Sequence, residues 1–443
     1  MDGTASKATT AAEVASCHAM KKAKGSSGKT HPEAIVTGVN FPVFSREEYA
    51  ERLRRTRERM AEQGIDLLYV TQPSNMCYLH GYACTWYHAA ATSAWPPAAG
   101  TAIHVDCNRM IHFDYPDEIG TLEATSVTED RRIFPGSQGV ESNAEFLVTQ
   151  LKAEGWLGGR VGLEFWSFVP NRAVSKRLEV VLVAGGAGEL VDGSFIVREV
   201  RRIKSQKEIE YIEQGVQLAD LAVRTAADVA RVGVTENEVY AEALRAMLLA
   251  GGEMQGINQG FKIGPASGLH HAYSNLRQIE PGDVARVDFC GVVNRYHGNV
   301  ARGYLFREPT PTDLEAYRIS AEAFDIVREV ARPGTHVREL NKSLQEHFES
   351  RDAWGRDRVF YIGGYELGIA FPPDWVGEWM FEAVGGVAPG VIEAGMVSNF
   401  ESVILYEDDY GKACETSNID TIVYGEEATR TLSSLPYEPI AIL

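Results

Sequence analysis

Two hydrophobic periods divide the chain. Ser45-Arg-Glu-Glu48 has the spacing of a capping box and opens an amphipathic run to Gln63, which Gly64 closes. Short β-type runs follow at 65–70, 100–105, 160–165 and 178–183, with Pro73-Ser-Asn75 read as a loop and a helical stretch at 142–153. Strands alternating with helices predict an α/β N-terminal domain. Beyond Ser205 the period lengthens: Ile209, Ile212, Val216, Ala219 and Val223 fall at three- and four-residue steps and predict a long helix over 205–232. Thr235-Glu-Asn-Glu238 opens another, running to about Leu249. Strand-like pieces at 255–263, 283–290 and 303–307, helices over 312–330 and 337–349, and a return to strands in the last hundred residues predict an α+β C-terminal domain.

The 443 residues are thus expected to form a tail over 1–42, a domain over 43–198 and a second over 199–443, with the boundary near residue 200. The tail is rich in Ala, Ser, Thr, Lys and Gly and has little to bury before Ile35, so flexibility is expected. It lacks arginine and an apolar run of about 7 to 15 residues, which argues against a targeting peptide. With 61 acidic against 43 basic residues the formal charge is −18, which excludes a nucleic-acid binder or an anionic-membrane binder, since both cluster cations. No stretch of about 18 apolar residues is present to span a bilayer. Six cysteines without a CxxC pair suggest neither a disulfide scaffold nor a zinc ribbon, and reduced thiols in a cytoplasmic protein are expected.

Four segments set polar groups inside apolar or glycine-rich sequence. They are Gly268-Leu-His270-His271, ahead of the strand start Pro281-Gly-Asp283; Val287-Asp288-Phe-Cys-Gly291 with Tyr296-His-Gly-Asn299; Gly363-Gly-Tyr365-Glu366-Leu-Gly368, continuing to Asp374-Trp375; and Met396-Val-Ser-Asn-Phe-Glu401, with Glu415 beyond. Asp288 and Asn299, 11 residues apart, suit adjacent strands of a hairpin that point at a common site. Each has an ordinary alternative. A strand Asp or Glu is commonly a solvated edge residue, His270 and His271 cannot both face one way on an extended chain, and Trp86, Tyr87 and Trp375 also suit plain packing.

Taken together, these segments and Ile203-Lys-Ser-Gln-Lys-Glu-Ile-Glu-Tyr-Ile212 resemble the pita-bread superfamily of methionine aminopeptidases, prolidases, aminopeptidases P and creatinases. The resemblance implies an α/β creatinase-like N-terminal domain followed by an α+β pita-bread domain. Metallopeptidase members bind two metal ions through Asp, Asp, His, Glu and Glu. Here Asp288 and Glu401 match two of these, Asn299 and Tyr365 stand at the second Asp and the His positions, and the last Glu falls near Ile419-Asp420, four residues beyond Glu415. An amide and a phenol in place of a carboxylate and an imidazole remove most of a hard dinuclear site's affinity, so no metal or other cofactor is expected.

The resemblance then points to the members that hydrolyse C–N bonds in small metabolites without metal, the creatinases and ectoine hydrolases. His271, 12 residues before Asp283, matches the creatinase general acid/base, and Glu401 a carboxylate that contacts the substrate's cationic end. Imidazole suits that work because its titration range brackets neutrality. Asp288, Glu366, Glu401 and Glu415, with Asn299, Asp374 and His270, are expected to hold a cationic or zwitterionic small molecule by charge-assisted hydrogen bonds, and Tyr365 to donate to an oxyanion or fill the metal's space. Trp86, Tyr87, His88 and Trp375 suit an aromatic wall. A homodimer is implied, in which residues 82–88 cap the partner's site. The alternatives within the fold are a metal-dependent Xaa-Pro peptidase, a lyase and a non-catalytic peptide-binding module.

Overall fold

The computed structural model describes residues 34–36, 42–88, 93, 94, 96, 98–136, 139–257, 260–263 and 271–443. Most of the expected tail, and His270, lie outside the described residues. Helix α1 (Arg46–Glu62) starts at Ser45, whose hydroxyl accepts from the Glu48 N–H. Strands β1 (Leu67–Val70), β2 (Gly100–His104), β3 (Met110–Asp114), β4 (Asp130–Ile133), β5 (Arg160–Leu163) and β6 (Glu189–Asp192) form a six-stranded sheet in the order β4-β3-β2-β1-β5-β6. β1 pairs antiparallel with β2 and parallel with β5, so the sheet is mixed. It packs through Leu67, Tyr69 and Phe113 on Leu147, Leu151, Leu178 and Leu182.

Two expectations are corrected in this region. Residues 73–75 are the first turn of helix α2 (Pro73–His80), where proline opens the helix without losing a hydrogen bond and all eight residues are buried. The run 178–183 lies inside a helix spanning Arg172–Gly185, after α3 (Ile119–Thr125) and α4 (Val140–Ala153), and therefore labelled α5. The Asn171 side chain caps the N–H groups of Ala173 and Val174, and Val174, Leu178 and Leu182 are buried at four-residue steps while Val180 and Val183 are exposed. Capping and periodic burial outweigh the β-propensity of Leu178-Glu-Val-Val-Leu-Val183. The polar strands β4 and β6, which sequence periodicity misses, are the two edges of the sheet.

Helix α6 (Ser194–Arg202) leads into α7 (Gln206–Val229) and α8 (Glu236–Leu249), both opened by complete capping boxes, Ser205 with Glu208 and Thr235 with Glu238. A ten-stranded sheet follows, with main order β11-β10-β12-β14-β9-β8-β7. Its site-bearing strands are β7 (Phe261–Ile263), β8 (Val284–Val293), β9 (Tyr296–Leu305), β10 (Val359–Tyr365), β12 (Val397–Glu407), β13 (Ala413–Glu415) and β14 (Asn418–Tyr424), with β11 (Met380–Glu382) at the edge beside β10. Within the expected strand over 255–263, Phe261–Ile263 joins the ladder as β7. β8 and β9 are joined by a two-residue turn, Asn294 and Arg295, both at positive φ (49° and 67°), the hairpin geometry that matches strand twist.

One face of this sheet carries the helices. Ile212, Val216 and Val223 of α7 share a core with Val287, Phe289 and Val300, while α9 (Pro311–Val330) and α10 (Val337–Glu349) share another with Phe400 and Ile422. Because strand residues alternate, Lys262, Arg286, Asp288, Asn299, Tyr365, Asn399 and Glu401 fall on the opposite face. α7 approaches the hairpin through glycine: a Cβ on Gly215 would sit 2.8 Å from the Gly291 carbonyl oxygen, and one on Gly298 would sit 2.5 Å from the Val216 nitrogen. Among the described residues, no helix is long and apolar enough to cross a membrane.

Candidate active site

The helix-free face lines a cavity of about 650 Å³. Arg286, Asp288, Tyr365 and Glu401 form its polar floor, and His271, Lys262 and Trp375 also line it. Asp288 and Glu401 are held in the same manner. The Asn299 side chain donates from Nδ2 to Asp288 Oδ1 at 2.7 Å. The Tyr365 hydroxyl donates to Glu401 Oε1 at 2.7 Å, and Asn399 Nδ2 donates to the same oxygen at 3.0 Å and to Asn299 Oδ1 at 3.1 Å. The second oxygen of each carboxylate faces a guanidinium: Arg286 Nη2 lies 3.9 Å from Asp288 Oδ2 and 3.6 Å from Glu401 Oε2. Its Nη1 lies 4.0 Å from Glu415 Oε1.

Burial raises the pKa of Asp288 and of Glu401, and in both Arg286 is the largest opposing influence. Burial pushes Glu415 up to about 7, again against Arg286. Burial opposes the charge on Arg286, but Asp288, Glu401 and Glu415 outweigh it, so its pKa lies above the ordinary value. Burial and then the Glu401 charge keep Tyr365 a neutral phenol. Its hydroxyl donates to Glu401, and so holds that carboxylate in place.

These donors do not fit the dinuclear metal centre of the wider fold family. Where the resemblance puts two metal ligands, an amide and a phenol are hydrogen-bonded to the two carboxylates, and a cation lies between those carboxylates. The residue directly across from Glu401 on β14 is Ile419, which has no ligand atom in its side chain. Asp420 pairs with Phe400, on the helix-covered face, where Tyr437 donates to it at 2.9 Å and Arg302 stands 3.5 Å away. Among the described residues, no group of three or more His, Cys, Asp or Glu side chains is arranged to hold a metal ion.

Other expected residues stand elsewhere. Glu366 accepts from Lys204 Nζ at 2.6 Å in a buried pair and does not line the cavity. Asp374 accepts from Gln72 and lies 3.7 Å from Arg198, so it ties a loop to α2 and α6. Trp86 and Tyr87 line a different cavity of about 300 Å³ with Tyr82 and Tyr115; the Tyr87 hydroxyl donates to the Pro372 carbonyl. His88 stacks edge-on against Tyr87 and is exposed. Within one chain, then, residues 86–88 do not face Asp288. Sequence reasoning passed over Arg286, Lys262 and Asn399. For Arg286 the signal was available: it is two residues before Asp288 on a strand, hence on the same face.

Two family models match the chain: a creatinase/prolidase N-terminal domain over residues 52–203 and metallopeptidase family M24 over 210–423. The chain belongs to the M24 family of hydrolases, with a creatinase/prolidase N-terminal domain ahead of an M24 pita-bread domain. It is 25% identical to an ectoine hydrolase of Halomonas elongata over 90% of this chain and 98% of that protein. It is 24% identical to a creatinase of a Bacillus species, over 90% and 93% respectively. Among solved structures, the prolidase of Pyrococcus horikoshii superposes with a TM-score of 0.72 at 22% identity over 88% of this chain and all of that one, a likeness of fold.

Proposed function

We propose that this chain is a metal-independent hydrolase of an amide or amidine C–N bond in a small cationic or zwitterionic metabolite, with His271 as general acid and base. The observation that carries the proposal is the set of side chains at the metal positions: Asn299 and Tyr365 hydrogen-bonded to Asp288 and Glu401, with the Arg286 guanidinium between the carboxylates. A metal-free hydrolase needs a base, and His271 is exposed at the cavity that Asp288 also lines. His271 accepts a proton from water as the oxygen bonds to the carbon. The proton then passes to the nitrogen as the C–N bond breaks, leaving an acid and an amine from an amide, or an amide and an amine from an amidine. The resemblance to an ectoine hydrolase and a creatinase supports this substrate class.

A homodimer completes the proposal, with residues 82–88 contributed to the partner's site; the turn at Trp86–His88 has no fully buried residue and does not line its own chain's cavity. The test is a turnover panel of ectoine, creatine, N-acetylated diamino acids and Xaa-Pro dipeptides, with and without EDTA. Chelator-resistant hydrolysis of a non-peptide C–N bond is expected, falling by roughly 10² to 10⁴ in kcat in His271→Ala. Xaa-Pro cleavage that EDTA abolishes and Mn²⁺ restores would overturn the proposal.

A further inference from the structure

We propose that Arg198, on α6, is a positioning residue for the candidate active site: it clamps residues 374–378 and so fixes Trp375 as a wall of the cavity. The inference rests on the reading of this cavity as a hydrolase site and adds a residue that acts on it from outside. Trp375, Val376 and Gly377 line the cavity, and Asp374 and Glu378 flank them in sequence. Arg198 is 7% exposed and uses each of its three nitrogens on a different partner. Nε donates to Gln72 Oε1 at 2.9 Å, Nη1 donates to Glu378, and Nη2 donates to the Trp166 carbonyl at 3.3 Å and lies 3.7 Å from Asp374 Oδ2. Gln72 in turn donates to Asp374. One guanidinium therefore closes both ends of a three-residue stretch that faces the cavity. Burial raises the pKa of Asp374; Arg198 is the largest influence against it, with Arg201 next, and the Glu378 charge adds to the rise. Removing Arg198 would take away the cation that both carboxylates share.

The clamp reaches the site through Trp375. Its ring meets Tyr365 edge-on with centroids 5.2 Å apart, and the Tyr365 hydroxyl holds Glu401. The stretch is closely packed: a Cβ on Gly256 would come within 3.2 Å of Trp375 Cβ, and one on Gly377 would clash with the Glu366 carboxylate. Gly377 also donates its N–H to the Glu366 carbonyl at 2.9 Å. With its middle packed in this way and its ends held by Arg198, a displacement of the ends moves Trp375 against Tyr365. Lysine carries its donors on one nitrogen and cannot span the same partners, so the guanidinium is specifically required.

The test labels the full chain with 5-fluorotryptophan and reads the Trp375 fluorine resonance, assigned by its absence in Trp375→Phe. In Arg198→Met, and to a smaller extent in Arg198→Lys and Glu378→Gln, this resonance is expected to shift or broaden, while those of Trp156 and Trp354, packed in other cores, stay in place. Glu378 is exposed, so Glu378→Gln keeps the test open should Arg198→Met fail to fold. With whichever member of the turnover panel wild type hydrolyses, Arg198→Met is expected to raise KM roughly tenfold or more with kcat within about threefold, whereas mere loss of folded protein lowers kcat and leaves KM. A Trp375 resonance unmoved in Arg198→Met, or in Glu378→Gln where the former does not fold, overturns the inference, as does a fall in kcat at unchanged KM. Wild type that hydrolyses no member of the panel would sink the hydrolase reading alone, since the resonance decides the clamp without turnover.

Discussion

Asp288 and Glu401 each have one oxygen held by neutral donors and the other turned to Arg286, so two buried charges on one face coexist. For Glu415, burial raises the pKa and Arg286 is the influence that opposes it. Its pKa of about 7 when folded exceeds the ordinary 4.5, so the unfolded chain releases this proton first. The contribution is therefore fully present below about pH 4.5, declines as pH rises toward 7 and levels off beyond it. Urea denaturation across that window is expected to show a loss of up to about 3 kcal/mol from this group, absent in Glu415→Gln. An unchanged slope in the variant would contradict the assignment. Residue-level legibility followed range. Strand spacing joins Asp288 to Asn299 and the resemblance adds Tyr365 and Glu401, and the structure brings the four together, whereas Glu366 and Asp374 pair elsewhere with Lys204 and Gln72, 162 and 302 residues away in sequence.

Among elements, the β8–β9 hairpin matters most, because α7 sets its position by backbone contact. A Cβ on Gly298 would meet the Val216 nitrogen at 2.5 Å, a rigid neighbour. Gly298→Ala is expected to cost about 1 to 3 kcal/mol by urea denaturation and, since Asn299 is the next residue, to lower turnover. Gly120, in α3, is the control: a methyl added there would meet nothing within 4 Å, so Gly120→Ala should be neutral or slightly stabilising. A Gly298→Ala protein as stable as wild type would contradict the close approach. The helices with local signals, such as the capping boxes at Ser205 and Thr235, were legible to within a residue at their starts. The valine-rich 178–183 and the polar edge strands were not: the Asn171 cap and periodic burial override β-propensity in the first, and ladder pairing with β3 and β5, without burial, holds the second.

For the whole molecule, the formal charge of −18 argues against a nucleic-acid or anionic-membrane binder and suggests a negative pocket. The cavity instead balances Lys262 and Arg286 against Asp288 and Glu401, so its chemistry differs from that of the chain as a whole. The same pairing recurs around α6: Arg198 with Asp374 and Glu378, and just beyond it Lys204 with Glu366. These cations join segments that the sequence places far apart, and the two-region organisation was legible because each region has its own hydrophobic period. On the function proposed above, Arg286, Asn299 and Tyr365 fill the space and supply the charge that a dinuclear metal centre would otherwise provide. Calorimetric titration of the full chain with Mn²⁺ tests it most directly: no stoichiometric binding is expected, whereas tight uptake of about two ions per chain, lost in Asp288→Asn, would contradict it.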